Sequence, residues 1–252
     1  MRWHKPQREQ DLQAELTFFD RLLKADYPFG RGVYAGLAET EYLEVFSRYL
    51  GRNGPYALAL DIGSGVGLSS LLLGRYADGV CSMDLSIVGF NRLTEIVRPG
   101  EKAPWLVGGD AVSAPFMART FDVIFACGLL HHIPNWPVCL KRIVRLLAPG
   151  GHLVLVEPNL LNLAQTVNFI IGVRKGNQSP NEFPLRRGKV IRQSLRHFHV
   201  VESEYLLFNH QVKRLSEITE PAAWDRIQRL YYRIAPRPFW SQFFVVSCQH
   251  QK

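Results

Sequence analysis

Residues 57–73, ALALDIGSGVGLSSLLL, constrain the fold more than any other stretch of the chain. Ala57, Leu58, Ala59 and Leu60 form an apolar run that closes on Asp61 and Ile62, as a short buried strand would. Helix-compatible apolar spacing resumes over residues 68–73. Between the two lies a loop with glycine at 63, 65 and 67. Glycine has no Cβ, so such a loop turns sharply and lets another molecule approach the backbone. A strand, a glycine loop and a helix N-terminus in succession predict a nucleotide-type pocket.

The rhythm continues downstream. Apolar runs at 57–62, 79–83, 105–107, 122–127 and 152–156 alternate with helical stretches at 67–76, 86–97 and 136–147. Alternation of this kind predicts a parallel sheet with helices on both faces. APGG at 148–151 reads as a glycine turn ending the third of those helices and feeding HLVLVE. Upstream, Leu12, Leu16, Phe19, Leu22 and Leu23 give a helix over 8–24, and 37–50 gives another. Beyond Pro158 the pattern changes to an apolar strip at 160–173, a basic connector, the strand-like segments HVVESEYLLF and FWSQFFVVSCQ, and an amphipathic stretch at 212–233 between them. The organisation predicted is a helical extension or lid over 1–52 and one α/β core over 53–252, with a lid-like insertion around 160–196.

Composition excludes several classes. With 47% hydrophobic and 21% charged residues, the 252-residue chain can bury a large core and is not a disordered polymer. MRWHKPQREQDLQAEL has no apolar centre, so a secretory signal is not expected, and VIFACGLL and FIIGV are too short to cross a bilayer. Cys81, Cys127, Cys139 and Cys248 stand apart, which predicts neither a disulfide framework nor a cysteine metal centre, and fits a cytoplasmic location. No metal is expected. The net charge of +8 is concentrated around Arg174, Lys175, Arg186, Arg187, Lys189, Arg192 and Arg196, with Glu182 as the one acid in that window. Such a window suits a nucleic acid, an anionic membrane surface or an acidic substrate, or else is a solvated face that favours arginine.

Two phosphate-binding readings of the loop fail. A dinucleotide loop wants G-x-G-x-x-G, but Leu68 stands at the third position, and a Walker-type loop needs a Gly-Lys-Ser/Thr ending. Asp61 before the loop would repel a phosphate and favour a positively charged amine. The order Asp61-Ile62-Gly63-Ser64-Gly65-Val66-Gly67 resembles the first motif of class I S-adenosylmethionine-dependent methyltransferases. VCSMDLS, LVGGDA, FDVIFACGLLHHIPN and LLAPGGHLVLVEPN resemble the following elements of that family in order and spacing, so the resemblance covers residues 57–159.

The resemblance implies a doubly wound, Rossmann-like sheet of seven strands, six parallel and the last antiparallel, with residues 243–248 inserted between two predecessors. It implies S-adenosyl-L-methionine as cofactor. Asp61 would hold the cofactor's amino group directly or through other groups, alongside Gly63, Ser64 and Gly65. Asp84 would accept both ribose hydroxyls, Leu85 would flank the adenine, and Asp110 and Ala111 would contact its edge. Cys127 would offer its backbone carbonyl. Asp61 and Asp84 also have simpler readings, as a loop cap and a helix cap.

Methyl transfer is an in-line displacement in which the protein excludes water and brings the nucleophile within about 3–3.5 Å of the methyl carbon. His131 and His132 are candidate proton acceptors or shapers of the pocket. Glu157 and Asn159 should sit at the carboxyl edge of the sheet, and Tyr27, Phe29 and Tyr34 could close over it. The acceptor expected is a small organic or lipid-like, anionic or amphiphilic molecule, with the anionic group near Arg186 and Arg187. An RNA-modifying enzyme and a non-catalytic binding scaffold are the alternatives. CGLLHH replaces the acceptor loop usual for base amines, which disfavours nucleic acid. Oligomeric state is not legible.

Overall fold

A computed structural model describes residues 5–24, 32–51, 54–206, 237–241 and 243–250. Helices α1 (Lys5–Lys24) and α2 (Gly32–Tyr49) precede the first strand, β1 (Tyr56–Ile62). Then follow α3 (Leu68–Leu73), β2 (Ala77–Asp84), α4 (Val88–Ile96), β3 (Trp105–Gly108), β4 (Phe121–Cys127), α5 (Trp136–Leu146) and β5 (Leu147–Pro158). The chain continues through α6 (Leu163–Arg174), α7 (Arg187–Ser194) and β6 (Phe198–Leu206), and later a helical turn at Arg237–Trp240 and β7 (Phe243–His250).

The seven strands form one sheet in the order β3-β2-β1-β4-β5-β7-β6. The first five are parallel to their neighbours, and β7 runs antiparallel between β5 and β6. That is the expected α/β class and the expected placement of residues 243–248. In detail, β6 also runs parallel to the first five, since it too opposes β7.

The period of two along each strand sends alternate side chains to opposite faces. Leu60, Ile124, Leu153 and Phe244 enter one core, closed by Leu140, Ile143 and Leu146 of α5. Ala59, Val123, Val154 and Val245 enter the other, closed by Val45 and Phe46 of α2, Leu50 in the turn after it, and Leu72 and Leu73 of α3. A fully buried Leu140 or Phe46 contributes about 1.5–3 kcal/mol through loss of its contact with water.

Boundaries differ from expectation in three places. APGG is not a free turn: Leu147 already pairs with Phe121, the register breaks, and pairing resumes at His152 opposite Val123. Gly150, at φ 79°, makes that irregularity within β5. Phe239 and Trp240 are helical rather than extended, so β7 begins at Phe243. β2 starts at Ala77, where its pairing with Tyr56 at the foot of β1 recruits two residues beyond the apolar run. The stretch 212–233, Tyr27 and Phe29 lie outside the described residues, as does the side chain of Tyr34.

This topology fixes where a ligand can bind. From β1 the chain moves outward to β2 and β3, then returns to lay β4 on the other side of β1. At such a reversal the loops leaving the carboxyl ends of the strands diverge and open a crevice. The loops after β1 and β4 both start there.

Candidate functional site

The glycine loop after β1 is built from both ends. Gly63, Gly65 and Gly67 all have positive φ. At Gly65 (φ 57°) an added Cβ would meet nothing within 4 Å, so the backbone there faces open space. Helix α4 comes in from behind: a Cβ on Gly89 would lie 2.2 Å from the Gly65 carbonyl oxygen, which only glycine tolerates. The loop is pressed between a helix and a cavity.

Asp84, at the end of β2, ties this loop to the next one. One carboxylate oxygen accepts from the Gly65 N–H at 2.8 Å and the other from the Ser86 N–H at 2.9 Å. A carboxylate offers about four lone-pair sites, so two remain for a ligand. Its simpler reading, a cap, and its expected ligand role are therefore compatible. Burial pushes its pKa up, opposed by the two N–H groups.

Asp61 sits beneath the loop. It is 1% exposed, and one oxygen accepts from the Ser69 and Ser70 hydroxyls, each at 2.6 Å. Burial raises its pKa to about 6, with the two serine hydrogen bonds pulling the other way and the Asp84 charge adding to the rise. Ser64 is buried beside it, in a chain of hydroxyls in which Ser82 donates to Ser64 at 2.8 Å. Neither Asp61 nor Ser64 lines the cavity, so both act on it through the loop.

The cavity, of about 280 Å³, is lined by Gly63, Gly65, Asp84, Leu85, Ala111 and Cys127. Asp110 lines it too, and its carboxylate accepts from the Val112 N–H and the Ser113 hydroxyl and pairs with Arg8 of α1. Cys127 Sγ accepts from the Tyr42 hydroxyl at 3.9 Å, and burial raises its thiol pKa far above the ordinary range, so it is no nucleophile. Seven of the nine residues singled out for the cofactor thus meet around one space.

The two histidines part company. His131 is 6% exposed, with Nδ1 2.9 Å from Glu157 Oε2 and Nε2 3.7 Å from Glu182 Oε1. Burial alone would lower its pKa, but the two carboxylates outweigh that and raise it to about 9. Held between Glu157 and Glu182 and absent from the cavity lining, His131 is not placed to reach an acceptor. His132 lines the cavity, its Nδ1 2.9 Å from Ser179 Oγ and its ring edge-on to Phe19. Fully buried Glu157 accepts from the Leu129 and Leu130 N–H groups and so fixes the loop after β4. Asn159 is structural: its amide donates to the Pro238 and Ser241 carbonyls.

Sequence reasoning expected residues 1–52 to act as a lid but did not single out the residues of α1 that face the cavity. Arg8, Leu12, Glu15, Phe19 and Leu22 line the cavity at spacings of four and three, one continuous helical stripe. The signal was present, as two charged residues set in an otherwise apolar line. The basic window is a correction in the other direction. None of its seven cations lines the cavity. Arg187 lies over the Tyr205 ring at 4.4 Å and donates to the Ser203 carbonyl, and Lys189 lies over Trp136. The charged wall is instead acidic, with Asp11, Glu15, Asp84 and Asp110 against Arg8. Alanine at Arg186 and Arg187 should therefore leave the affinity for a ligand of this cavity unchanged in a binding titration; a loss would return an anionic clamp to that window.

Residues 60–155 match the family model described as a methyltransferase domain. That segment, residues 60–155, is a methyltransferase domain. Similar to this chain is 2-methyl-6-phytyl-1,4-hydroquinone methyltransferase of Synechocystis, 33% identical over 106 residues, 42% of this chain and 33% of the relative. A phthiotriol/phenolphthiotriol dimycocerosates methyltransferase of Mycobacterium leprae is 31% identical over 107 residues, 42% of this chain and 38% of the relative. The chain thus spans about a third of the length of these relatives. Among solved structures, an N-methyltransferase of Bradyrhizobium japonicum in complex with S-adenosyl-L-homocysteine superposes with a TM-score of 0.62 at 15% identity, over 94% of this chain and 98% of that one. That likeness is one of fold.

The residues present fit the cofactor this family implies. The Gly65 backbone faces open space, Asp84 keeps free acceptor capacity, and the acidic wall suits a cationic ligand. Gly65→Val is expected to abolish binding of S-adenosylmethionine in calorimetry while leaving the fold intact by circular dichroism. A branched side chain would enter the cavity at a φ that costs roughly 1–2 kcal/mol for a residue with a Cβ. Undiminished affinity in the folded variant would remove the loop from the site.

Proposed function

We propose that this chain binds S-adenosylmethionine in the cavity at the carboxyl ends of β1, β2 and β4 and transfers its methyl group to a small, largely apolar acceptor. The single observation behind this reading is the cavity itself, which joins the glycine loop, Asp84 and Asp110 on one side to the apolar stripe of α1 on the other. When bound, the cofactor supplies an electrophilic methyl on a sulfonium centre. Asp84 would accept from its ribose, Leu85 and Ala111 would border the adenine, and the Gly63–Gly65 backbone would approach the amino acid portion. Asp61 would act from below, its charge favouring a cation above the loop.

The acceptor side would be made by Leu12, Phe19 and Leu22 of α1 with Ile133 and Pro134. These side chains exclude water and offer no cation other than Arg8, which is already paired with Asp110. A neutral lipid-like acceptor fits them better than an anionic one. The names of the two relatives, which specify a phytyl-bearing hydroquinone and dimycocerosates, support the same class. Among the described residues, His132 is the histidine that lines the cavity, where its ring would border an acceptor. Among the described residues no helix is long and apolar enough to cross a membrane.

The test is methyl transfer from labelled S-adenosylmethionine to a panel of alkylated hydroquinones, long-chain alcohols and amines, with RNA as a comparison. Labelled product from an apolar member supports the reading. Transfer to RNA alone would replace it.

A further inference from the structure

Behind the cavity lies a group of side chains that cofactor binding does not use. Glu15, Glu157 and Glu182 are all buried or nearly so, and their ion-pair partners among the described residues are His131 and His132 alone, with no lysine or arginine. Three carboxylates against two imidazoles leave the group short of positive charge even with both rings protonated, and buried charge without compensation is costly.

The distances are informative. His131 Nε2 to Glu182 Oε1 is 3.7 Å and His132 Nδ1 to Glu15 Oε2 is 3.4 Å. Both exceed the roughly 2.7–2.9 Å of a charge-assisted hydrogen bond. Ligands about 2.0–2.1 Å from a tetrahedral zinc ion stand about 3.4 Å from one another. One ligand atom from each of His131, His132 and Glu182 lies within 4.8 Å of the others. Glu15 supplies an independent pointer: it is 6% exposed, and its Oε2 has no hydrogen-bond partner although it faces His132. On the far side, Glu157 holds His131 Nδ1 at 2.9 Å, the carboxylate support that metal-bound histidines usually have.

We propose that His131, His132 and Glu182 bind one divalent transition-metal ion of zinc type, with Glu15 of α1 as the carboxylate beside His132. Sequence analysis anticipated no metal because the ligands are not spaced as a motif; they come from the loop after β4 and the segment between α6 and α7. Glu15 would tie α1, the wall of the cavity, to that centre through His132. The Ser179 hydroxyl, now 2.9 Å from His132 Nδ1, would give way to the ion or turn to a neighbouring oxygen.

The full chain, stripped with a chelator, is titrated with Zn(II) by calorimetry and with Co(II) by visible absorption. One ion per chain is expected, with the visible bands of tetrahedral nitrogen and oxygen ligation. Glu182→Gln should weaken binding at least tenfold, and Glu15→Gln and Glu157→Gln, which alter carboxylates beside the histidines, should each weaken it about 10- to 100-fold. Glu15 lies on α1, outside the sheet, so its variant keeps the test open if a core variant fails to fold. Absence of one-to-one binding by the wild-type chain overturns the site. So does binding that is unchanged in both Glu15→Gln and Glu182→Gln, or cobalt spectra of thiolate ligation, which would put the ion on cysteines.

Discussion

Asp84→Ala should lower the affinity for S-adenosylmethionine by two to four orders of magnitude. Hydrogen bonds to a charged group contribute about 1.5–3 kcal/mol each, and the carboxylate is read as accepting two from the ribose. The structure adds a second cause. Without Asp84, the Gly65 and Ser86 N–H groups lose their acceptors, and the loop that presents Gly65 to the cavity loses its tie to β2. Asp84→Asn keeps an acceptor oxygen, so it should bind more weakly than wild type and more tightly than the alanine variant. Calorimetry on variants shown to be folded decides this. An alanine variant that binds as wild type would leave Asp84 as a cap and nothing more.

Asp61→Asn should make the ligand-free protein more stable above neutral pH while weakening cofactor binding. Burial raises the Asp61 pKa from 3.8 to about 6. A group whose folded pKa is raised stabilises the fold most below its unfolded pKa, and that contribution is lost as pH rises through the folded value. Between pH 3.8 and 6 the folded chain holds the proton more tightly; above pH 6 ionising Asp61 costs on the order of 3 kcal/mol, at 1.36 kcal/mol per pKa unit. An asparagine oxygen can still accept from Ser69 and Ser70. The stability difference, variant minus wild type, should therefore grow from pH 4 to pH 7 and then level off in denaturant titrations. The same variant lacks the negative charge beneath the loop and should bind a sulfonium cofactor less well. Parallel stability curves across that range would show that Asp61 ionises without penalty.

The sheet and the loop were legible because both are written in local chemistry. Apolar runs at 57–62 and 122–127, glycines at 63, 65 and 67, and an acid closing each early strand need no distant partner to be recognised. α1 was legible as a helix in a lid, but its lining residues were not, because the roles of Arg8 and Glu15 depend on Asp110 and His132, each more than a hundred residues away. The basic window misled for the same reason. Seven clustered cations describe a stretch of chain, while the face each one covers is set by Tyr205 and Trp136 from other elements. His131 and His132 were indistinguishable in sequence; only the positions of Glu157 and Glu182 hold one away from the cavity and leave the other on its wall.

The most direct measurement is a calorimetric titration of the full chain with S-adenosylmethionine, repeated with NAD and ATP. One S-adenosylmethionine per chain is expected, with no heat from the phosphate-bearing ligands, because the loop lacks their motifs and its nearest charges, Asp61 and Asp84, are negative. Absence of binding, or preferential binding of NAD or ATP, would contradict the assignment of the cavity.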